Sequence, residues 1–285
     1  MLRKVLRYDL GAIYKIWIVI SITCVALGAI AGVALRFLMT PVEGPEHFTS
    51  YHAMAGMFLA IAVIGIIAYM VICFILVIYR YYQNFFTDEG YLTFTLPVKR
   101  YTLLNAKLIN AFIWECATSI VFIFSIVLIF LIAPSTNEEG GSLLGELLNE
   151  LAPLFKLIIE FSDAWFWAYV VGFTLLGISY YIFSSLLIYM CVTIGCIVAK
   201  KAKALIAILI YYAASMVMST ASYIIIPIGT YFAEAIDILG ANANPAVSSL
   251  IWLAVLLCAS ACVLLLAVAE YKFILSRIEN KLNLA

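Results

Sequence analysis

Six long apolar runs, separated by short polar breaks, organise this chain: residues 16–39, 54–79, 108–133, 166–198, 204–232 and 247–269. A bilayer crossing takes roughly 20 mostly apolar residues. Lipid offers no partner to an exposed backbone group, so runs of this kind are helices. The pattern predicts an all-α polytopic membrane protein, six transmembrane helices in a single domain over 1–285, with an inner connector at 80–107 and an outer segment at 134–165.

The breaks carry patterns of their own. In "MLRKVLRYDLGAIYKIW" Leu2, Val5, Leu6, Leu10, Ile13 and Trp17 share one helical face, and Arg3, Lys4 and Arg7 fall on another. This spacing predicts an amphipathic N-terminal helix in the inner interface; a plain basic flank to the first span reads equally well. In the outer segment Leu143, Leu144, Leu147, Leu148 and Leu151 recur at helical spacing, with Glu146 and Glu150 on another face. That predicts a helix on the outer leaflet, broken near Pro153, acting as a lid or a lateral gate. Between the fifth and sixth spans, Pro227, Gly229 and the spacing of Phe232, Ile236 and Leu239 predict a short helix dipping back at the outer interface.

Composition agrees with this picture. Of 285 residues, 66% are hydrophobic and 11% charged, whereas soluble domains run nearer half and a quarter. The net charge of zero conceals a strong asymmetry. With six spans, both termini share a side with Arg3, Lys4, Arg7, Lys15, Arg80, Lys99, Arg100, Lys107, Lys200, Lys201, Lys203, Lys272, Arg277 and Lys281. Those are fourteen of the sixteen basic residues; Arg36 and Lys156 lie opposite, with ten of the sixteen acids. Basic loops stay inside, so both termini are expected in the cytoplasm. A span more or less would scatter the asymmetry. The basic start, apolar run and Ala29 to Gly32 imitate a cleavable signal, but the run continues past it, and cleavage would break the charge pattern.

Chemistry is sparse. No G-x-x-x-x-G-K-[ST], H-E-x-x-H or G-x-S-x-G occurs, so the chain is not expected to be an enzyme or to bind ATP itself. All seven cysteines lie in apolar segments, as small hydrophobes do. His47 with Glu43 and Glu46 reads as a solvated loop rather than a metal site, and no nucleic-acid partner is expected. Glu115 is the one acid inside a span; a charge there costs roughly 2.5–3.5 kcal/mol on insertion scales. It is expected to be a structural acid bonded to a neighbouring span, or a cation or proton carrier. Ser215, Ser219 and Ser222, with Tyr211, Tyr212 and Tyr223, form a polar stripe expected to line a subunit contact or a path. Gly28 and Gly32 match the small-residue signature of close helix packing, within one subunit or across a dimer.

The connector is the unusual stretch. "YRYYQNFF" prolongs the second span, Asp88, Glu89 and Gly90 mark a turn, and "YLTFTLPVKR" leads to the third span. Phe85, Phe86, Tyr91 and Phe94 there are expected either to present apolar anchors to a partner or to pack on the chain's own inner surface. The run "NFFTDEGYLTFTLPVKRYTLLNAKL" resembles the inner loop of bacterial ABC transporter permeases of the type-2 exporter class. The six-span layout, the basic N-terminal helix and the loop before the sixth span are similar too. The resemblance implies a membrane permease subunit of a bacterial exporter, in the cytoplasmic membrane, working as a dimer with a second permease subunit on an unknown amphipathic substrate. It implies a separate ATPase partner holding ATP and Mg, docked on Asn84, Phe85, Phe86, Thr87, Asp88, Glu89, Gly90 and Tyr91. The outer segment at 134–165 is longer than that family leads one to expect. Two other classes fit the residues: an ion- or proton-coupled secondary transporter using Glu115, and a non-transporting membrane scaffold or immunity protein.

Overall fold

The computed structural model describes residues 2–39, 45–87, 89–90, 95, 98–134, 142–160, 164–199, 202–241 and 245–280. They form seven principal helices: α1 (Leu2–Met39), α2 (Pro45–Phe86), α3 (Arg100–Ile132), α4 (Leu143–Glu160), α5 (Ala164–Val198), α6 (Lys203–Ala241) and α7 (Pro245–Asn280). Among the described residues the one extended feature is an isolated bridge between Pro134 and Ser142. Six helices, all but α4, are long and apolar enough to cross a membrane. The chain is an all-helical protein with six candidate spans, as its apolar runs predict.

Three boundaries differ from the sequence pattern. The N-terminal segment and the first span are one helix of 38 residues, about 57 Å long at 1.5 Å per residue. On it Ile13 is buried, as is Asp9, while Val5, Leu6 and Leu10 are half-buried. The face expected to lie in lipid is therefore partly covered by protein. The expected break at Pro153 does not occur: α4 runs through it. Likewise α6 passes through Pro227 to Ala241, where a separate dipping helix was expected. A proline removes one donor and crowds the preceding turn, at a cost of about 3 kcal/mol. That bends a helix without ending it where helix-forming residues continue on both sides.

The chain packs as two compact units, Met1–Arg80 with Ile109–Glu160, and Tyr81–Leu108 with Phe161–Ala285. In the first, Cys24, Ile66, Tyr69 and Cys73 form a buried core, joined by Trp17, Leu27, Phe122 and Ile129. Hydroxyl and indole groups cross it in pairs: Trp17 Nε1 donates to Thr118 Oγ1 (3.1 Å), and Ser21 Oγ lies 3.2 Å from Tyr69 Oη. Gly28 and Gly32 let α1 approach α3 closely. A Cβ on Gly28 would stand 2.9 Å from the Ser125 carbonyl oxygen, and one on Gly32 2.9 Å from Ile132 Cβ. Within the chain, the small-residue signature is filled by α3.

In the second unit α5 packs along α7 and α6. Tyr169 Oη donates to the Ser249 carbonyl (3.0 Å). At the opposite end of α7, Tyr271 Oη donates to Asn105 Oδ1 (2.9 Å) and Arg100 Nη1 to the Ile278 carbonyl (2.9 Å). The link from α5 to α6 turns on Ala202 at φ 56°.

Candidate functional site

The connector begins as the last turns of α2, and its aromatic residues are the core of the second unit. Tyr81 and Phe85 are fully buried, and Asn84 and Phe86 nearly so. Tyr81 stacks on Tyr189 of α5 with ring centroids 4.0 Å apart and planes within 10°, and lies 5.1 Å from Phe85. Its hydroxyl pairs with Thr193 Oγ1 at 2.8 Å, and Thr193 in turn donates to the Tyr189 carbonyl (2.7 Å). Tyr189 Oη reaches the Lys107 carbonyl at 3.4 Å, bringing in the first turns of α3. These three buried hydroxyls are thus satisfied by one another and by backbone carbonyls.

The helix end is closed by local bonds. Thr87 Oγ1 donates to the Gln83 carbonyl, Gly90 N–H to the Thr87 carbonyl (2.8 Å), and Gln83 Nε2 to Glu89 Oε1 (3.0 Å). Gly90 is buried against the α2 terminus, where a Cβ would lie 2.9 Å from the Phe85 carbonyl oxygen. No residue but glycine fits there without a shift. Asp88 and Tyr91 lie outside the described residues, as does Phe94.

Phe85 and Phe86 are therefore inward-facing rings, not exposed anchors. Among its described residues the connector presents Thr95, Lys99 and Tyr101 as exposed, and Thr87 and Glu89 are half-exposed. At the end of a helix the aromatic run buries one side.

The other singled-out residues separate. Glu115 is half-exposed on α3. Ser215 and Ser219 satisfy themselves on their own helix, donating to the Tyr212 and Met216 carbonyls at 2.8 and 2.9 Å. Tyr211, Tyr212 and Tyr223 are exposed, so within the chain this stripe lines no packed path. The Ser222 side chain is outside the described residues. Among the described residues, no three His, Cys, Asp or Glu side chains converge as metal ligands would.

One acid escaped the sequence reading. Glu270 of α7 is 9% exposed, and its Oε2 is buried without a hydrogen-bond partner among the described residues. It shares a face with Ala267, Ile274 and Ile278, all buried, and Cys191 of α5 lies within its electrostatic reach. The signal is the i, i+3, i+7, i+11 spacing of these four positions. It is hidden because Glu270 stands where the apolar run gives way to Tyr271 and Lys272.

Comparison of the chain with protein-family models, curated proteins and solved structures gave no match.

Proposed function

We propose that this chain is the membrane subunit of a transporter of the ABC exporter kind, driven by a separate ATPase that docks on the 80–107 connector. The observation that carries the reading is the tie between connector and α5. Tyr81, stacked on Tyr189 and bonded to Thr193, ties the end of α2 to the last turns of α5 as one rigid piece. A displacement at the Thr87–Gly90 turn would reach α5 without being lost in loop motion. Docking falls to the outward groups Thr87, Glu89, Thr95 and Lys99, with the phenylalanines as their support. Two such subunits form the pathway, both termini are cytoplasmic, the start of α1 lies at the inner membrane surface, and the membrane is the bacterial cytoplasmic one. The cargo is amphipathic; ATP and Mg stay with the partner.

The test is co-purification from the native host. Tagged chain in mild detergent should carry an ATP-hydrolysing subunit, released by Lys99→Glu with Thr95→Trp. Tagged chain without ATPase activity, in cells whose transport survives ATP depletion, would overturn the proposal.

A second reading is favoured by Glu270, whose buried Oε2 has no donor among the described residues. In a proton-coupled transporter such a group binds and releases the coupling ion. Glu270→Gln would then abolish gradient-driven transport, whereas an ATP-driven subunit would keep its coupling.

A further inference from the structure

The first unit has an apolar groove between α1 and α2, at the end where α1 terminates. Ala29, Val33 and Phe37 of α1 face Tyr51, Met54 and Phe58 of α2 across about 520 Å³. All but Ala29 are well exposed, from 45% at Val33 to 63% at Tyr51. Toward the middle of the helices Leu27 packs against α2, its Cδ1 2.5 Å from where a Gly65 Cβ would be. From Ala29 to Phe37 it runs eight residues, roughly 12 Å at the helical rise. One leaflet is about 15 Å deep, half the hydrocarbon core.

Among the described residues, polar groups stand toward the α1 terminus. Arg36, exposed, adjoins Phe37 one turn beyond Val33, and it is the only charged side chain between Ile16 and Met39. The Tyr51 ring closes the same end from α2. A tyrosine in the lining and an exposed arginine one turn beyond Val33, beside an apolar slot close to one leaflet in length, match a molecule with an anionic head and a single-leaflet tail. A helix of a second copy would need an apolar face crossing the whole core, about 30 Å, more than twice the length of this groove. We propose that this groove is a binding site for an anionic phospholipid, one acyl chain lying between Val33 and Met54 and the headgroup phosphate paired with Arg36.

The site is independent of any ATPase and is tested on the purified full chain alone. Delipidated protein in nonionic detergent is titrated with dioleoyl phosphatidylglycerol and read by native mass spectrometry, with thermal unfolding as a check on folding. One lipid per chain should be retained. Arg36→Gln should weaken retention by about tenfold, the scale of one charge-assisted hydrogen bond. Val33→Trp, at an exposed position, should fill the slot and abolish retention with folding intact. Dioleoylglycerol, lacking the phosphate, should bind no better than Arg36→Gln holds the phospholipid, and inorganic phosphate should not compete. The proposal fails if Val33→Trp retains lipid like the parent, or if dioleoylglycerol binds equally. It fails too if inorganic phosphate displaces the lipid, which would mark a free-anion site. A dimer mass lost on Val33→Trp would assign the groove to a second copy of the chain instead.

Discussion

Tyr81, Phe85 and Glu270 show how differently single side chains are held here. Phe85 is fully buried against Tyr81, so Phe85→Ala should destabilise the chain by about 3–5 kcal/mol through the cavity it leaves. An aromatic anchor seated only in a partner would cost the isolated subunit nothing, and thermal unfolding in detergent separates the two. Tyr81→Phe keeps the stack but strips Thr193 of its 2.8 Å partner, for an expected loss of about 1 kcal/mol. Glu270 should respond in the opposite sense. Its Oε2 is buried without a donor among the described residues, a situation worth about 1–3 kcal/mol of destabilisation. Glu270→Met should thus raise the unfolding midpoint, and a lowered midpoint would mean the carboxylate has a stabilising partner. The sequence flagged Glu115 because it stands deep in an apolar run, yet that side chain is half-exposed. Depth in a run is legible; the face a residue takes depends on packing partners that no single segment specifies.

Among the elements, the packing of α1 on α3 depends on the absence of side chains at two positions. Gly28→Leu would drive a branched side chain into the Ser125 backbone, where even a Cβ would sit at 2.9 Å. Helix backbone cannot move aside cheaply, so a loss of several kcal/mol in folding stability is expected, on the scale of severe overpacking. Unchanged unfolding, with a weakened dimer, would return the motif to an intermolecular role. The turn from α5 to α6 offers the converse case. Ala202 holds a left-handed φ of 56°, a conformation costing an L-residue roughly 1–2 kcal/mol. Ala202→Gly should recover part of that, visible as a higher unfolding midpoint. The existence of six candidate spans was plain from the apolar runs, because period and length survive any tertiary arrangement. The internal prolines misled: Pro153 and Pro227 sit inside α4 and α6. A proline's local penalty is fixed by its ring, but whether it ends a helix is decided by the residues beyond it.

At the scale of the whole molecule, charge is the one sequence signal that addresses orientation. The basic residues cluster with the termini and the connector, the acids with the opposite loops, and positive loops remain on the cytoplasmic side. Two exposed positions turn this into a measurement. Leu148 lies on α4, in the segment assigned outside, and is 55% exposed; Lys99 is exposed on the connector assigned inside. In a background with Cys116, Cys258 and Cys262, the exposed thiols, changed to Ala, Leu148→Cys should react with an impermeant maleimide in intact cells. Lys99→Cys should react only after the membrane is opened. Reaction of both from outside would place an even number of crossings between them, and the reverse pattern would invert the chain. Either result removes the connector from the cytoplasm, where ATP is. No nucleotide-driven partner could then reach Thr95 or Lys99, and Glu270 would become the better starting point for how this protein is energised.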